Sequence, residues 1–176
     1  MPLVYDLGRL SLEWNMLEQF FTALIWTFFG DFDVGMAVTE GLGGNRSKAD
    51  VLLNLSRQRN KDRKVVESVE FACRAFSILR ENRNKLIHSH TIFRVKDGKP
   101  QWRRATGKGP KGHVTVEANL RDLERIISEV CRLAIFSVEL VPFLQSEPRI
   151  PNPKLPEQFP MPERLRDLPP DLERDE

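Results

Sequence analysis

Residues 64–90 read KVVESVEFACRAFSILRENRNKLIHSH, and this segment decides the fold. Its apolar residues recur every three or four positions, which is typical of a long helix with one buried face. They are Val65, Val69, Ala72, Cys73, Phe76, Leu79, Leu86 and Ile87. Arg83 lies near the middle of this apolar stripe. Because a lone buried guanidinium is costly, Arg83 must be paired, hydrated in a cleft or turned toward another molecule.

Two further segments have the same helical periodicity. Residues 10–29 predict a first long helix, and Gly30 is a suitable residue to end it. Residues 119–144 predict a last helix with Asn119 as its N-cap. We expect the last helix to pack antiparallel to the segment 64–90 and to cover the face that Arg83 interrupts.

The region between the first two long helices contains a glycine cluster. A short apolar piece, residues 34–38, comes first. Gly41, Gly43 and Gly44 follow it and lack a preceding strand and the spacing of a phosphate-binding loop, so this glycine cluster is expected to be a flexible connector. Ser47 then predicts the N-cap of a short helix that runs to about Leu55.

A strand-like and strongly basic region follows residue 90. Residues 91–95 and 100–104 predict a β-hairpin with Asp97 and Gly98 in its turn, and residues 113–116 predict another strand. Seven basic residues lie on both sides of one tryptophan here, a composition suited to neutralising an RNA backbone and stacking one base. They are Arg94, Lys96, Lys99, Trp102, Arg103, Arg104, Lys108 and Lys111. The alternative is a solubilising edge ribbon in which Trp102 packs on the helices.

The predicted architecture is all-α: a four- or five-helix bundle with a small β-hairpin insertion before the last helix. The helical domain covers residues 1–145, with the β excursion at about 91–117. Residues 146–176 form a proline-rich extended tail, since eight prolines fall between residues 148 and 170. Spaced apolar residues in the tail would pack on the helical body or on a partner. They are Leu155, Phe159, Met161, Leu165 and Leu168.

Composition sets outer limits on function. The chain has 176 residues, 40% of them hydrophobic and 30% charged, as expected for one globular domain. A net charge of +2 does not by itself indicate a nucleic-acid-binding protein. Cys73 and Cys131 fall at apolar helical positions without a Cys-x-x-Cys pair, so we expect reduced core cysteines, no metal site and no cofactor. The apolar block at residues 20–29 is too short to span a membrane, and we expect a cytoplasmic protein.

Arginine and histidine close together suit phosphodiester chemistry without a metal. An imidazole exchanges protons near neutral pH, and a guanidinium holds an anionic phosphate. His88 is rotated by about 140° from Arg83 on an ideal helix. The two side chains therefore converge only if the helix unwinds near His88, or if a second subunit brings its own copy alongside.

The pattern Arg83-Asn84-x-x-x-His88 resembles the signature of the HEPN superfamily. Many members of that superfamily are metal-independent endoribonucleases that work as homodimers, with both motifs at the interface. The resemblance implies that Arg83, Asn84 and His88 are catalytic and that RNA is cleaved to a 2′,3′-cyclic phosphate. The spacing to His90 also fits the family pattern, so His90 is a rival for His88. Some toxin members carry a tyrosine where this chain has His90.

Other candidates and readings accompany this resemblance. Arg80 is an additional candidate site residue, and Glu18 either orients a site residue or is a solvated glutamate. The toxin or defence type of HEPN protein also implies an antitoxin or regulatory protein as partner. The alternative function is a non-catalytic helical module that binds a protein or nucleic acid. In that reading Arg83 and the histidines cap carbonyls or line an ordinary interface.

Overall fold

A computed structural model of the chain describes residues 2–87, 90–96, 99–105, 113–145 and 154–167. These residues contain five helices: α1 (Pro2–Trp26), α2 (Phe32–Glu40), α3 (Asn45–Arg59), α4 (Arg63–Ile87) and α5 (Leu120–Leu144). The helices pack into one bundle, which confirms the predicted all-α class. Within the described residues, no helix is long and apolar enough to cross a membrane.

Helix α4 lies at the centre of the bundle, where it contacts α1, α3 and α5. Its apolar stripe is buried, as the sequence predicted. The Phe76 ring stacks on Phe21 at 4.1 Å and on Trp14 at 5.0 Å between ring centroids. These three aromatic side chains join α4 to α1, and all three are at most 1% exposed.

Helix α1 starts earlier than residue 10, where the apolar stripe begins. The first two turns carry no buried stripe, because Val4 and Tyr5 are 68% and 72% exposed. Their periodicity therefore gave no helical signal. After Trp26 the chain makes a turn, and Gly30 has a φ of 68°, a left-handed conformation that glycine adopts without strain. The predicted end of the helix at residue 29 was therefore three residues too late, and Gly30 instead ends the turn that follows the helix.

Helix α2 covers the short apolar piece at residues 34–38, for which the sequence predicted no secondary structure, and it ends before the glycine cluster. The Asp31 carboxylate caps the helix by accepting hydrogen bonds from the Asp33 and Val34 amides. Gly35 packs directly on Trp26, since a Cβ at Gly35 would lie 2.8 Å from Trp26 Cδ1. Tertiary contact with the Trp26 ring therefore stabilises a helix that is too short to reveal itself by periodicity.

Helix α3 begins at Asn45 and not at Ser47. The residue before it, Gly44, has a φ of 119°, and no side chain caps the helix. The predicted Ser47 N-cap was wrong because the glycine turn already sets the start of the helix. Helix α5 agrees with its prediction. Asn119 accepts from the Asp122 amide, and the Asp122 carboxylate accepts from the Asn119 amide, which completes a capping box.

Between α4 and α5 the backbone forms three strands: β1 (His90–Lys96), β2 (Lys99–Ala105) and β3 (His113–Glu117). They make one antiparallel sheet in the order β1-β2-β3. The predicted turn at Asp97 and Gly98 lies outside the described residues. The predicted helix to residue 90 was too long, because His90 is the first residue of β1.

The described part of the tail, residues 154–167, lies on the helical body. The Phe159 ring packs edge-on against Phe71 of α4 and Phe136 of α5, at centroid distances of 5.1 and 6.1 Å. Leu165 is almost fully buried in the core cluster. The tail therefore covers the seam between α4 and α5.

Two contacts give the direction of α5 relative to α4. The Asn60 side chain, three residues before α4, donates to the Phe143 carbonyl near the end of α5 at 3.2 Å. Further along α4, the Phe71 ring packs on Phe136 at a centroid distance of 5.3 Å, so the residue number contacted on α5 falls as the number on α4 rises. Helices α4 and α5 are thus antiparallel, as predicted.

The two cysteines have different environments, which leads to a prediction about their reactivity. Cys73 is buried, its thiol donates to the Ala49 carbonyl, and burial raises the pKa of Cys73 to about 12. Cys131 is only half-buried.

Because the thiolate is the reactive form, iodoacetamide near pH 8 is expected to modify native Cys131 first and Cys73 only on unfolding. Mass spectrometry of wild type and Cys131→Ser measures both rates; equal labelling of Cys73 in the native protein would contradict this.

Candidate functional site

The last turn of α4 carries the candidate site residues that the structure describes. Arg83 is half-buried, with its Nε buried, and its Nη1 donates to the Asn84 side-chain oxygen at 3.2 Å. Asn84 is half-buried as well. The amide thus helps to hold the guanidinium in place, which is a suitable arrangement for a group that must meet a phosphate in a fixed orientation.

Arg80 lies on the same face of α4 as Arg83 and Asn84, because it precedes them by three and four residues. It is half-buried, and its Nε is buried without a hydrogen-bond partner among the described residues. Two guanidinium groups therefore share one face of the last two turns of α4. This face is positively charged and partly desolvated, which strengthens its attraction for an anion.

Of His88 and His90, the structure describes only the backbone of His90. His88 lies outside the described residues, so its distance from Arg83 stays a prediction. The backbone of His90 begins β1 and pairs with Arg103 of β2. β1 begins three residues after the last residue of α4, and β2 also contacts that helix. The backbone therefore brings one end of the basic region to the candidate site.

The register of the sheet sorts the basic residues between its two faces. Opposite residues in an antiparallel pair share a face, and neighbours along a strand alternate. Trp102 pairs with Val116, whose side chain is fully buried, so positions 102 and 104 belong to the Val116 face. Four basic positions belong to the other face, namely those of Arg94, Lys96, Lys99 and Arg103. Lys108 and Lys111 lie outside the described residues.

Glu18 of α1 has structural partners. Its carboxylate accepts hydrogen bonds from the Trp14 indole and from the Asn45 side chain at the start of α3. No described contact joins Glu18 to Arg83. The carboxylate therefore connects α1 to α3, a role that the sequence analysis had not considered.

Asn82 is a residue that the sequence analysis missed. It is fully buried, its amide nitrogen donates to the Glu163 carbonyl at 2.8 Å, and its side-chain oxygen accepts from the Leu165 amide at 2.8 Å. A signal was present, because Asn82 follows Leu79 by three residues and precedes Leu86 by four. This spacing puts a polar amide on the buried stripe, where it needs a partner.

Two charged residues beside Asn82 also hold the tail. The Lys85 ammonium donates to the Leu165 carbonyl at 2.6 Å and pairs with Asp167 at 2.8 Å. On the outer side, Arg164 pairs with Glu81 at 2.6 Å. The last turn of α4 thus carries candidate site residues on one face and tail contacts on the other.

Comparisons with known proteins give no family. No protein-family model matches the chain, and no curated protein and no solved structure matches it. Among the described residues, no group of three or more His, Cys, Asp or Glu side chains could hold a metal ion. The function of the chain must therefore be inferred from its own residues and from their placement.

Proposed function

We propose that this protein is a metal-independent endoribonuclease of the toxin or defence type that works as a homodimer in the cytoplasm. One observation supports the proposal most strongly. Arg83 lies half-buried near the end of α4 and is held by the Asn84 amide; it precedes His88 by five residues and His90 by seven, and it follows Arg80 by three. Hence two cationic groups and the proton-exchanging histidines are concentrated within one short segment.

Each residue has a separate role in the proposed reaction. His88, with His90 as its rival, removes the proton from a ribose 2′-hydroxyl. The 2′-oxygen attacks the adjacent phosphorus, the bond from phosphorus to the 5′-oxygen breaks, and the departing oxygen takes up a proton. Arg83 stabilises the negative charge that develops on the phosphate oxygens, and Asn84 orients Arg83. The products are a 2′,3′-cyclic phosphate and a 5′-hydroxyl.

The sheet is proposed to guide the RNA strand to this site. Its register collects Arg94, Lys96, Lys99 and Arg103 on the face opposite to Val116, and clustered basic groups neutralise successive phosphates. This register makes it less favourable for Trp102 to stack on an RNA base, because position 102 shares the face of the buried Val116. The alternative, in which Trp102 packs on the helical body, is supported at that position.

The homodimer and the regulatory partner also belong to the proposal. Exposed apolar side chains on α1 and α5 offer surface for association between copies; they are Leu12, Met16, Ile135 and Val138. An antitoxin or another regulatory protein would restrain the nuclease, as the resemblance to toxins implies.

The proposal is tested by incubating purified protein with end-labelled single-stranded RNA in EDTA. We expect cleavage that survives the chelator, and we expect His88→Ala to abolish it while His90→Ala retains most of it. Loss of activity in His90→Ala alone would transfer the role of the base to His90. Cleavage that depends on added metal, or cleavage that both histidine variants retain, would contradict the proposal.

A second candidate function is a non-catalytic module that binds a protein or nucleic acid. It is favoured by the α4–α5 seam, where Asn82 forms two hydrogen bonds to the extended backbone of the chain's own tail. Expression in bacteria separates the two functions. An unrestrained ribonuclease is expected to arrest growth and Arg83→Ala to relieve the arrest, whereas a binding module would leave growth unchanged in both cases.

A further inference from the structure

The tail segment at residues 163–167 is fixed to α4 by backbone and side-chain contacts together. Asn82 forms two hydrogen bonds to the tail backbone, and Lys85 adds a third together with an ion pair. Asp167 also forms an isolated antiparallel bridge with Val116 of β3. One short segment thus ties the end of α4 to the sheet that follows it.

The geometry of a helix separates these contacts from the candidate site. At about 100° per residue, Glu81, Asn82 and Lys85 lie within roughly 100° of one another. Arg80, Arg83 and Asn84 likewise lie within roughly 100° of one another on the other side. The tail therefore does not cover the guanidinium face. It contacts the opposite side of the same part of α4.

The last turn of a helix needs such support. Its final carbonyl groups have no partners within the helix, and helix ends are the parts that open most readily. The tail contacts Lys85 in this turn and Asn82 in the turn before it, one residue after Asn84 and one residue before Arg83. Movement of the tail would consequently change the position of both candidate site residues.

The tail is itself anchored at a distance from this turn. Phe159 packs on Phe71 and Phe136, and Leu165 is buried between the helices. At the far end, Leu155 and Phe143 line the same surface cavity near the end of α5, and both pack against the core. Burial of these apolar side chains stabilises the docked tail independently of the polar contacts at Asn82.

We propose that tail residues 163–167 are a positioning element for the candidate site and that Asn82 is the positioning residue through which they act. This inference depends on the proposed function, and it assigns to the tail a role in the turnover step. Because the tail lies behind the site, it positions Arg83 and Asn84 without contacting the RNA.

The experiment compares full-length variants in two assays. Leu165→Ala loosens the tail near Asn82, and Asn82→Asp keeps the acceptor for the Leu165 amide but loses the donor to the Glu163 carbonyl. Leu155→Ala is the matched control, since it removes the same side chain at the far end of the tail. Leu165→Met is the conservative replacement. The assays are RNA cleavage kinetics in EDTA and amide hydrogen exchange of the whole chain.

We expect Leu165→Ala and Asn82→Asp to lower kcat by about 10-fold to 100-fold, because small displacements of catalytic groups have effects of this size. KM for RNA should change by no more than about twofold, since the tail does not contact the strand. Hydrogen exchange should become at least about tenfold faster at the end of α4, and not at its centre. Leu155→Ala and Leu165→Met should behave like wild type in both assays.

Two results would overturn the inference. One is faster exchange at the end of α4 in Leu165→Ala with kcat unchanged, which would mean that the turn can move without affecting catalysis. The other is unchanged exchange in Leu165→Ala, which would mean that the tail does not hold the turn. Hydrogen exchange requires no ribonuclease activity, so a wild type that fails to cleave RNA rejects the proposed function separately. If Asn82→Asp does not fold, Lys85→Ala takes its place with the same expectations.

Discussion

Arg83→Ala is expected to lower the rate of RNA cleavage by about 100-fold to 1,000-fold, which is the usual effect of removing one group that stabilises transition-state charge. The Arg83 side chain is half-buried and hydrogen-bonded to Asn84, so its charge acts in a partly desolvated position. Arg83→Lys should recover only part of the rate, because an ammonium lacks the planar pair of donors. Initial rates in EDTA provide the measurement, and circular dichroism checks that the fold is retained.

Arg74 offers a matched control on the same helix. It lies nine residues before Arg83, is exposed, and forms no ion pair with any residue that the structure describes. Arg74→Ala changes the net charge by the same amount, so it accounts for a general loss of RNA attraction. We expect it to retain most of the activity. Equal losses in Arg74→Ala and Arg83→Ala would show that α4 contributes only overall charge.

Phe76→Ala is expected to destabilise the fold by about 3–5 kcal/mol, the usual cost of removing a large buried aromatic side chain. The Phe76 ring stacks on both Trp14 and Phe21 and joins the central helix to α1. Its loss would leave a cavity that the surrounding rings cannot fill without moving. Equilibrium urea unfolding of the purified variant measures the change in the free energy of unfolding.

An exposed apolar residue serves as the control for this prediction. Val4 on α1 is 68% exposed and is not among the residues proposed for association between copies, and Val4→Ala should change the free energy of unfolding by no more than about 0.5 kcal/mol. A small effect of Phe76→Ala, comparable to that of Val4→Ala, would contradict the packing described for α1 and α4.

The sequence predicted the long helices well because their burial follows one period over many turns. The stripes of α4 and α5 each extend through about seven turns, so they stand out from any local irregularity. Helix α2 has nine residues and gains its stability from Trp26, a contact that periodicity cannot express. The first turns of α1 were missed for the opposite reason, since they are helical without being buried.

The sequence singled out only some of the residues that the structure brings together near the end of α4. A guanidinium on an apolar stripe drew attention to Arg83, but Asn82 beside it escaped notice. Its partners, Glu163 and Leu165, are about 80 residues away in the chain. Sequence spacing shows which side chain needs a partner and does not show where the partner comes from. Proline content predicted an extended tail, whereas its docked position depends on tertiary contacts.

The most direct test of the account is the chemical identity of the RNA ends that the wild-type protein produces in EDTA. A reaction that uses the 2′-hydroxyl as nucleophile, with an imidazole and a guanidinium in place of a metal, is predicted to leave a 2′,3′-cyclic phosphate on one fragment and a 5′-hydroxyl on the other. Mass spectrometry of a short single-stranded substrate distinguishes these ends. Fragments with a 3′-hydroxyl and a 5′-phosphate, or an uncleaved substrate, would contradict the proposed metal-independent reaction.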